Sequence, residues 1–501
     1  MLTQAQLFSL LPLIILSANA TLLMLSIAFF RHQAWNILVA ISGLNIALVV
    51  TFLVSVGPPQ TITELMVVDR FACFFIALML IVTLGCVTLS HTYLQRHLDS
   101  REELYLLMML SVIGGIVLVS SRHLATLFIG LEILSIPLYA LVAYSLRNTR
   151  SLEAGIKYLV LSATGSALML FGMALLYAYL GTLSFVGMGQ QLSLMGEVIN
   201  PIILIGSLLI VISLAFKLSI APFHLWTPDV YEGAPAPVGA FIATVPKIAV
   251  AAAFVRLIDY VPVFEHPTMT LVLMVLAALS MLVGNLLAMT QNNIKRLLAY
   301  SSIAQFGYLL VAIVAFNFAT REAFMVYLLA YALTTLAAFG VVSLVSSPLE
   351  DGDADNIKQQ YRGLYWRHPI LAVIMTIAML SLAGIPLTAG FIGKFYLIIA
   401  GVNSALWWLL AAMVIGSAIG IYYYLCVTIM LYQPESVGVA LMNAASTDID
   451  APSSDNSPVA TPLNFSRIAS CGLLVVVAVL IILLGVYPQP LFELVVQGDI
   501  F

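Results

Sequence analysis

Residues 216–247 read FKLSIAPFHLWTPDVYEGAPAPVGAFIATVPK and place two lysines inside apolar sequence. Lys217 ends one apolar run and is followed by a proline and a histidine, and Lys247 lies within the next apolar run. An isolated ammonium at bilayer depth costs roughly 2.5–3.5 kcal/mol on insertion scales. Because two lysines on neighbouring segments both carry this cost, we infer that their charges have a role in the function of the protein.

The composition of the chain predicts a membrane protein that crosses the bilayer many times. Its 501 residues are 62% hydrophobic and only 8% charged, whereas soluble proteins carry about 25% charged residues. The basic residues are scattered singly, so the net charge of −4 does not indicate a nucleic-acid partner. The sequence holds no phosphate loop, dinucleotide fingerprint or Cys-X-X-Cys pair, so we expect no nucleotide, redox cofactor or metal in this chain.

Apolar runs long enough to cross the bilayer predict an all-α polytopic membrane protein with about fourteen transmembrane helices. The predicted regions follow one another along the chain. They are 1–102 with helices one to three, 103–258 with helices four to eight, 268–432 with helices nine to thirteen, a polar cytoplasmic loop at 433–464, and 465–501 with helix fourteen.

Two of the predicted helices are interrupted beside a lysine. Helix seven is interrupted at Pro222, just after Lys217. Helix twelve is interrupted at Pro386, just before Lys394. Interrupted helices at corresponding places in two halves are typical of inverted-topology repeats, whose ion path lies at the breaks. We therefore predict that helices four to eight and nine to thirteen form two inverted five-helix repeats.

The basic residues outside the apolar runs predict the orientation in the membrane. The loops after odd-numbered helices hold most of them, namely Arg31, Arg96, Arg101, Arg147, Arg150, Lys295, Arg296, Lys358, Arg362, Arg367 and Arg467. The loops after even-numbered helices hold Arg70, Arg122, Arg256 and Arg321. Because cytoplasmic loops carry the excess of Lys and Arg, we expect the odd loops in the cytoplasm and both termini outside.

The predicted membrane interior holds a small set of ionisable residues. They are the carboxylate of Glu132 and the lysines Lys157, Lys217, Lys247 and Lys394. Desolvation favours the neutral form of an amine and a nearby carboxylate favours its charged form, so a change at the carboxylate would make a lysine hold or release a proton. This chemistry predicts a proton relay. We count His224 as a further candidate for this relay. Two of these residues have plainer alternatives, because Lys157 could extend to the interface and His224 could bond carbonyls freed by the proline break.

Four motifs in the chain resemble those of a known family. They are LEILSIPLYAL (131–141), the stretch at 216–247, QNNIKRLLAYSSIAQFGYLLVA (291–312) and LSLAGIPLTAGFIGKFYLI (380–398). Together they resemble the antiporter-like membrane subunits of complex I, the proton-pumping NADH–quinone oxidoreductase. The resemblance implies a translocase subunit of a bacterial inner membrane without a redox centre of its own. It also implies that NADH, FMN, iron–sulfur clusters and quinone belong to partner subunits, with lipid and other complex I membrane subunits as neighbours.

The resemblance also implies a role for each ionisable residue. Glu132 would pair with Lys217 in a first proton half-channel, with Lys157 at a further family position near this pair. Lys247 would link the two halves of the path. Lys394 would serve the second half-channel.

Within this family the chain is similar to the subunit-N type. Subunit M carries a glutamate on helix twelve where this chain has Lys394, and subunit L has a long C-terminal arm, which we do not expect here. One position departs from the subunit-N pattern, in which helix ten reads Ser-Ser-Ile-Ser-His. Residues 301–305 read SSIAQ, so Gln305 replaces a titratable histidine. A water molecule or Lys247 itself would have to bridge that position.

Two other functions are compatible with the same residues. A subunit of an Mrp-type cation/proton antiporter would share the pattern of one glutamate and several lysines without any redox link. A scaffold bundle or an independent solute carrier would use the buried charges as structural pairs, and neutralising Lys217 would then leave ion movement unchanged.

Overall fold

The structure, a computed structural model, describes residues 3–29, 31–96, 102–145, 148–195, 200–315, 318–346, 357–434, 465–490 and 493. The described residues form mainly long helices. In the first half these are α1 (Gln4–Ser9), α2 (Leu11–Phe29), α3 (Gln33–Ser55), α4 (Arg70–Arg96), α5 (Glu103–Val119), α6 (Leu124–Val142), α7 (Thr149–Leu180), α8 (Phe185–Met195), α9 (Pro201–Lys217), α10 (Trp226–Gly233) and α11 (Ala236–Tyr260).

The second half continues in the same way after a short 3₁₀ turn at Pro262–Glu265. Its helices are α12 (Pro267–Ala288), α13 (Ile294–Val314), α14 (Phe318–Val345), α15 (Ile357–Gln360), α16 (Leu364–Arg367), α17 (Pro369–Ala383), α18 (Ala389–Asn403), α19 (Trp407–Tyr432) and α20 (Phe465–Val486). An antiparallel hairpin between α3 and α4, formed by β1 (Gln60–Thr63) and β2 (Met66–Val68), was not predicted from the hydropathy pattern.

The all-α polytopic membrane fold predicted from composition is confirmed. Among the described residues, eleven helices are long and apolar enough to cross a membrane, and α5, α9, α17 and α18 are shorter apolar helices. The total of fourteen spans, the inverted relation of the two halves and the region boundaries stay predictions. The predicted polar loop at 433–464 lies outside the described residues, except for its first two positions.

The chain leaves the helical path at both predicted interruptions. Between α9 and α10 it forms turns that contain Pro222, and between α17 and α18 it forms a turn that contains Pro386. Proline has no N–H to donate to a helix and its ring clashes with the preceding turn. Gly384 supplies the left-handed residue that ends α17, with φ of +80°. Each break therefore leaves the carbonyls of a last helical turn without helical donors.

Helix α11 forms the centre of the bundle. It is buried along its whole apolar window and packs against α4, α5 and α14. A helix that is apolar on all sides is expected inside a bundle, and the alanines of α11 allow its neighbours to approach closely. Lys247 is carried by this helix.

Several basic residues that the sequence assigned to loops lie in helices instead, and Arg256, Lys295 and Arg321 are examples. Arg256 is buried in α11, where its guanidinium binds Asp69 through Nη1 at 2.6 Å and Nη2 at 2.8 Å. Lys295 is buried in α13 and donates from Nζ to the carbonyl of Ala234 at 2.9 Å. Arg321 lies in α14. A single charge near the end of an apolar run is indistinguishable by hydropathy from a loop residue, which explains the error.

Candidate functional site

Lys217 lies at the last residue of α9 and is buried. Its Nζ donates to Ser135 Oγ of α6 and to Ser162 Oγ of α7, each at 2.7 Å. Tyr139 donates from its hydroxyl to the same Ser162 Oγ at 2.7 Å. The C-terminal end of a helix carries partial negative charge, so this position stabilises an ammonium without an ion pair.

Glu132 reaches Lys217 only through serines. The carboxylate is half-buried on α6 and accepts a hydrogen bond from Ser166 Oγ at 2.5 Å. The same Ser166 hydroxyl lies 3.2 Å from the backbone carbonyl of Ser162, one turn earlier on α7, so its single proton is shared between the two acceptors. Within the described residues Glu132 and Lys217 form no direct ion pair, and their pairing in a half-channel stays a prediction.

Lys247 lies at the centre of the bundle and is 1% exposed. Its Nζ donates to Ser302 Oγ of α13 at 2.6 Å. The ammonium also lies 4.8 Å from the ring centroid of Phe306 and 5.7 Å from that of Tyr231. Ring faces attract a cation, and the contacts of this amine within the described part of the chain are all with neutral groups.

Lys394 uses the break between α17 and α18 as its binding site. Its Nζ donates to the backbone carbonyls of Leu382 and Ala383, both at 3.0 Å. These carbonyls end α17 and have no helical donor. The ammonium also lies 4.9 Å from the ring centroid of Tyr308. The carbonyls that the helix break leaves free therefore accept the hydrogen bonds that water would otherwise accept from this amine.

Two cavities border Lys394. The smaller has a volume of about 10 Å³ and includes Gln305 and Tyr331 in its lining. The larger, of about 320 Å³, lies between α18 and α19 and has a mainly apolar wall. Gln305 and Lys394 both donate to the carbonyl of Leu382, so the position that departs from the family pattern is in direct contact with this site.

Lys157 lies apart from the buried lysines. Its side chain is 45% exposed, and its Nζ contacts Glu153 Oε1 at 2.7 Å and Asp229 Oδ2 at 3.0 Å. Arg296 joins Asp229 to Glu232 at 2.8 and 2.7 Å, which completes an ion cluster around α10. Unlike the buried lysines, Lys157 therefore pairs directly with carboxylates, and its predicted place near the Glu132–Lys217 pair stays a prediction. The sequence shows that Lys157 is in a helix but not which face of α7 carries it.

His224 is buried in the turn between α9 and α10 without contacting any of the three buried lysines of the predicted path. Its ring lies edge-on to Tyr300 with 6.4 Å between centroids, and its Nδ1 has no hydrogen-bond partner among the described residues. Sequence reasoning gave no particular role to the hydroxyl of Ser162 or of Ser302. It missed Ser135, Ser166 and Tyr331, because nothing in the local pattern marks them.

Lys217, Lys247 and Lys394, here called the lysine line, have a common chemistry. Among the residues that the structure describes, each donates only to hydroxyls or backbone carbonyls, and none lies within ion-pair distance of a carboxylate. When an amine bound by neutral acceptors loses its proton, no buried carboxylate is left without a counter-ion. The arrangement is suited to proton exchange rather than to structural ion pairing.

Comparisons with known proteins agree with this fold. A family profile described as NADH:quinone oxidoreductase/Mrp antiporter, TM, matches residues 121–420. A curated NADH-quinone oxidoreductase subunit N of Ectopseudomonas mendocina (strain ymp) is 50% identical over 499 residues, which cover 98% of this chain and 96% of that protein. A chain in the structure of respiratory complex I from Thermus thermophilus with bound aureothin is 32% identical, with a TM-score of 0.77 and coverage of 96% of this chain and 98% of that one.

A chain of the Mrp complex from Dietzia sp. DQ12-45-1b is 20% identical over 98% of this chain and 97% of its own length, with a TM-score of 0.82. At this identity the likeness shows the shared fold alone. The fold and the buried lysines define an antiporter-like, multi-pass membrane protein. The chain belongs to the NADH:quinone oxidoreductase/Mrp antiporter family and is a homologue of subunit N over nearly its whole length, as the sequence motifs predicted.

Proposed function

We propose that this chain is a proton-translocating membrane subunit of an NADH–quinone oxidoreductase. It contributes no redox centre, and its partners hold NADH, FMN, the iron–sulfur clusters and quinone. Its neighbours are the other antiporter-like and small membrane subunits of the complex. Homology to subunit N over nearly the full chain supports this assignment. We also propose a bacterial inner membrane as its location, with both termini in the periplasm, on the distribution of basic residues.

The observation that carries the proposal is the lysine line itself. Each of its amines is at most 8% exposed and is held by neutral acceptors. Unpaired ionisable residues inside a membrane are costly and are usually retained for transport. A buried amine in such a setting changes protonation when a nearby charge moves, which is the property that a coupled pump requires.

Within this function, we assign the residues to successive steps. Glu132 acts on Lys217 through Ser166 and Ser162 and sets whether the first half-channel holds a proton. Lys247 links the two half-channels, and Lys394 serves the second one at its helix break. Lys157 and His224 take peripheral positions, Lys157 at the exposed ion cluster and His224 in the first break.

The test replaces Lys217 by Ala and, separately, by Arg. Membrane vesicles supplied with NADH report acidification and quinone reduction together, and a native gel reports assembly. Both variants should lose proton pumping and coupled turnover, because alanine has no amine and a guanidinium cannot be deprotonated in a protein. Glu132→Ala and Lys247→Ala should show the same combined loss, and His224→Ala a milder one.

Full pumping by an assembled Lys217→Ala complex would refute the role of the lysine line. Pumping by the Arg variant alone would show that the charge, and not proton exchange, is needed. Purification of the tagged chain distinguishes the Mrp-type alternative, because flavin and iron–sulfur proteins should co-purify with it. Recovery of antiporter subunits alone would overturn the assignment to the oxidoreductase.

A further inference from the structure

A continuous chain of hydrogen bonds leads from Lys247 to Tyr331 of α14. Lys247 Nζ donates to Ser302 Oγ at 2.6 Å, and the Ser302 hydroxyl lies 2.8 Å from the Tyr331 hydroxyl. Tyr331 in turn donates to the backbone carbonyl of Ala243 at 2.9 Å. An ammonium only donates and each hydroxyl has one proton, so the hydrogen bonds all run in one direction, away from the amine.

The side chain of Gln305 is fixed and cannot form part of this chain. Its Nε2 donates to the carbonyl of Leu382 at 3.0 Å and to the hydroxyl of Tyr424 at 3.3 Å. Its Oε1 accepts from the hydroxyl of Tyr327. A carboxamide does not titrate in the physiological range, and these contacts engage both its donor and its acceptor. Protons that pass between Lys247 and Lys394 must therefore be carried by groups other than the side chain of Gln305.

The small cavity offers a path around Gln305. Tyr331 and Lys394 both border it, together with the hydroxyl-bearing Thr334 and Ser381, whose oxygens are 2.9 Å apart. Its volume of about 10 Å³ is close to the minimum that holds one water molecule, and a buried water needs two to four polar partners. The lining provides such partners on the side of Lys247 and on the side of Lys394.

We propose that Tyr331 relays protons between Lys247 and Lys394 through one water molecule in this cavity, and that Gln305 fixes the wall beside the path without carrying protons. The inference rests on the proposed function, because it describes a step within the same lysine line. It assigns a role to a hydroxyl that sequence reasoning did not single out.

The relay balances as a sequence of proton transfers. The Tyr331 hydroxyl first turns from the carbonyl of Ala243 to the water. Lys247 then gives a proton to Ser302 Oγ while the Ser302 hydroxyl proton passes to Tyr331 Oη. The Tyr331 proton passes to the water, and the water gives a proton to the neutral amine of Lys394. Lys247 ends neutral and Lys394 charged, and the hydroxyls regain their protons and reset by rotation.

The test replaces Tyr331 by Phe in the whole complex, reconstituted in liposomes. Phenylalanine keeps the ring, which packs edge-on against Phe306 with 5.2 Å between centroids, so assembly on a native gel should be unchanged. Proton uptake driven by NADH should fall by about 10²-fold, the lower end of what one positioned acid–base group contributes. Coupled quinone reduction should fall with it.

Tyr327→Phe is the matched control. Tyr327 lies one turn earlier on α14 and borders the same cavity, but its hydroxyl bonds only to Gln305 in the described structure. Its loss should stay within about fivefold, the equivalent of one neutral hydrogen bond. Equal losses in the two Phe variants would mean that both hydroxyls are merely structural and would overturn the relay.

A second-site change separates a relay from a packing effect. In the Tyr331→Phe background, Gln305→His places at the cavity wall an imidazole that can take up and release a proton near neutral pH. Transport should then recover to within about tenfold of wild type, whereas a structural role for Tyr331 predicts no recovery. Normal pumping by assembled Tyr331→Phe would also overturn the relay. When Tyr331→Phe pumps normally, Lys217→Ala in the same liposomes separates two conclusions. If Lys217→Ala does not pump, the relay is refuted and the proposed function stands. If Lys217→Ala also pumps normally, the proposed function is refuted as well.

Discussion

Separating the buried pair of Asp69 and Arg256 should weaken the fold more than removing both charges together. Their side chains are 2% and 1% exposed, so neither charge reaches solvent when its partner is lost. Removing one partner of such a pair costs about 3–5 kcal/mol, which lowers the folding equilibrium constant by roughly 10²- to 10⁴-fold. We expect this loss for Asp69→Asn and for Arg256→Met.

The double variant Asp69→Leu/Arg256→Met should recover part of this stability, because no charge remains buried. One cost persists. Arg256 also donates from Nε to the carbonyl of Val119 at 3.0 Å, and this carbonyl ends α5 without a helical donor. Leaving it unpaired costs about 1–3 kcal/mol. The double variant should therefore lie between the wild type and the single variants.

The assay is the temperature at which half of the purified complex has lost its intact band on a native gel. The expected order is wild type, then the double variant, then either single variant. Proton pumping per NADH in the double variant should match the wild type, because the Lys247–Ser302 contact is unchanged. Single variants as heat-resistant as the wild type, or a double variant that shows the sum of both single losses, would refute the reasoning.

Three further substitutions test the site, the helix packing beside it and the exposed ion cluster. Ser302→Ala should lower proton pumping by about 10²-fold, because it removes the hydroxyl that accepts from Lys247. Ser302→Thr keeps a hydroxyl and should pump nearly normally. An equal loss of pumping in both variants would contradict the role of this hydroxyl. Gly390→Ala should prevent assembly of the complex, measured on a native gel, because the added methyl group would overlap the backbone of Ser381 in α17. Gly472→Ala is the control and should assemble, because the space beside Gly472 is open. Lys157→Gln should lower proton pumping in vesicles by less than about fivefold, since exposed ion pairs are worth about 0–1 kcal/mol. A loss of pumping as large as that of Lys247→Ala would show instead that Lys157 takes part in proton transfer.

Sequence alone was sufficient for the features that depend on neighbouring residues. The hydropathy runs predicted a polytopic helical protein, and prolines 222 and 386 fall in the two non-helical turns. The lysines at 217, 247 and 394 stood out because a charge inside an apolar run is costly wherever the run packs. These inferences succeed because bilayer insertion and backbone hydrogen bonding act locally along the chain.

The partners of those charges were decided only by the tertiary structure. Lys217 binds serines 82 and 55 residues away in sequence, and Arg256, taken for a loop residue, binds Asp69 across 187 residues. Likewise, the exposed position of Lys157 depends on which face of α7 meets its neighbours. A buried charge is stabilised by whichever polar groups other helices bring within about 3 Å. Helix packing determines that proximity, and the local pattern of apolar residues carries no information about it.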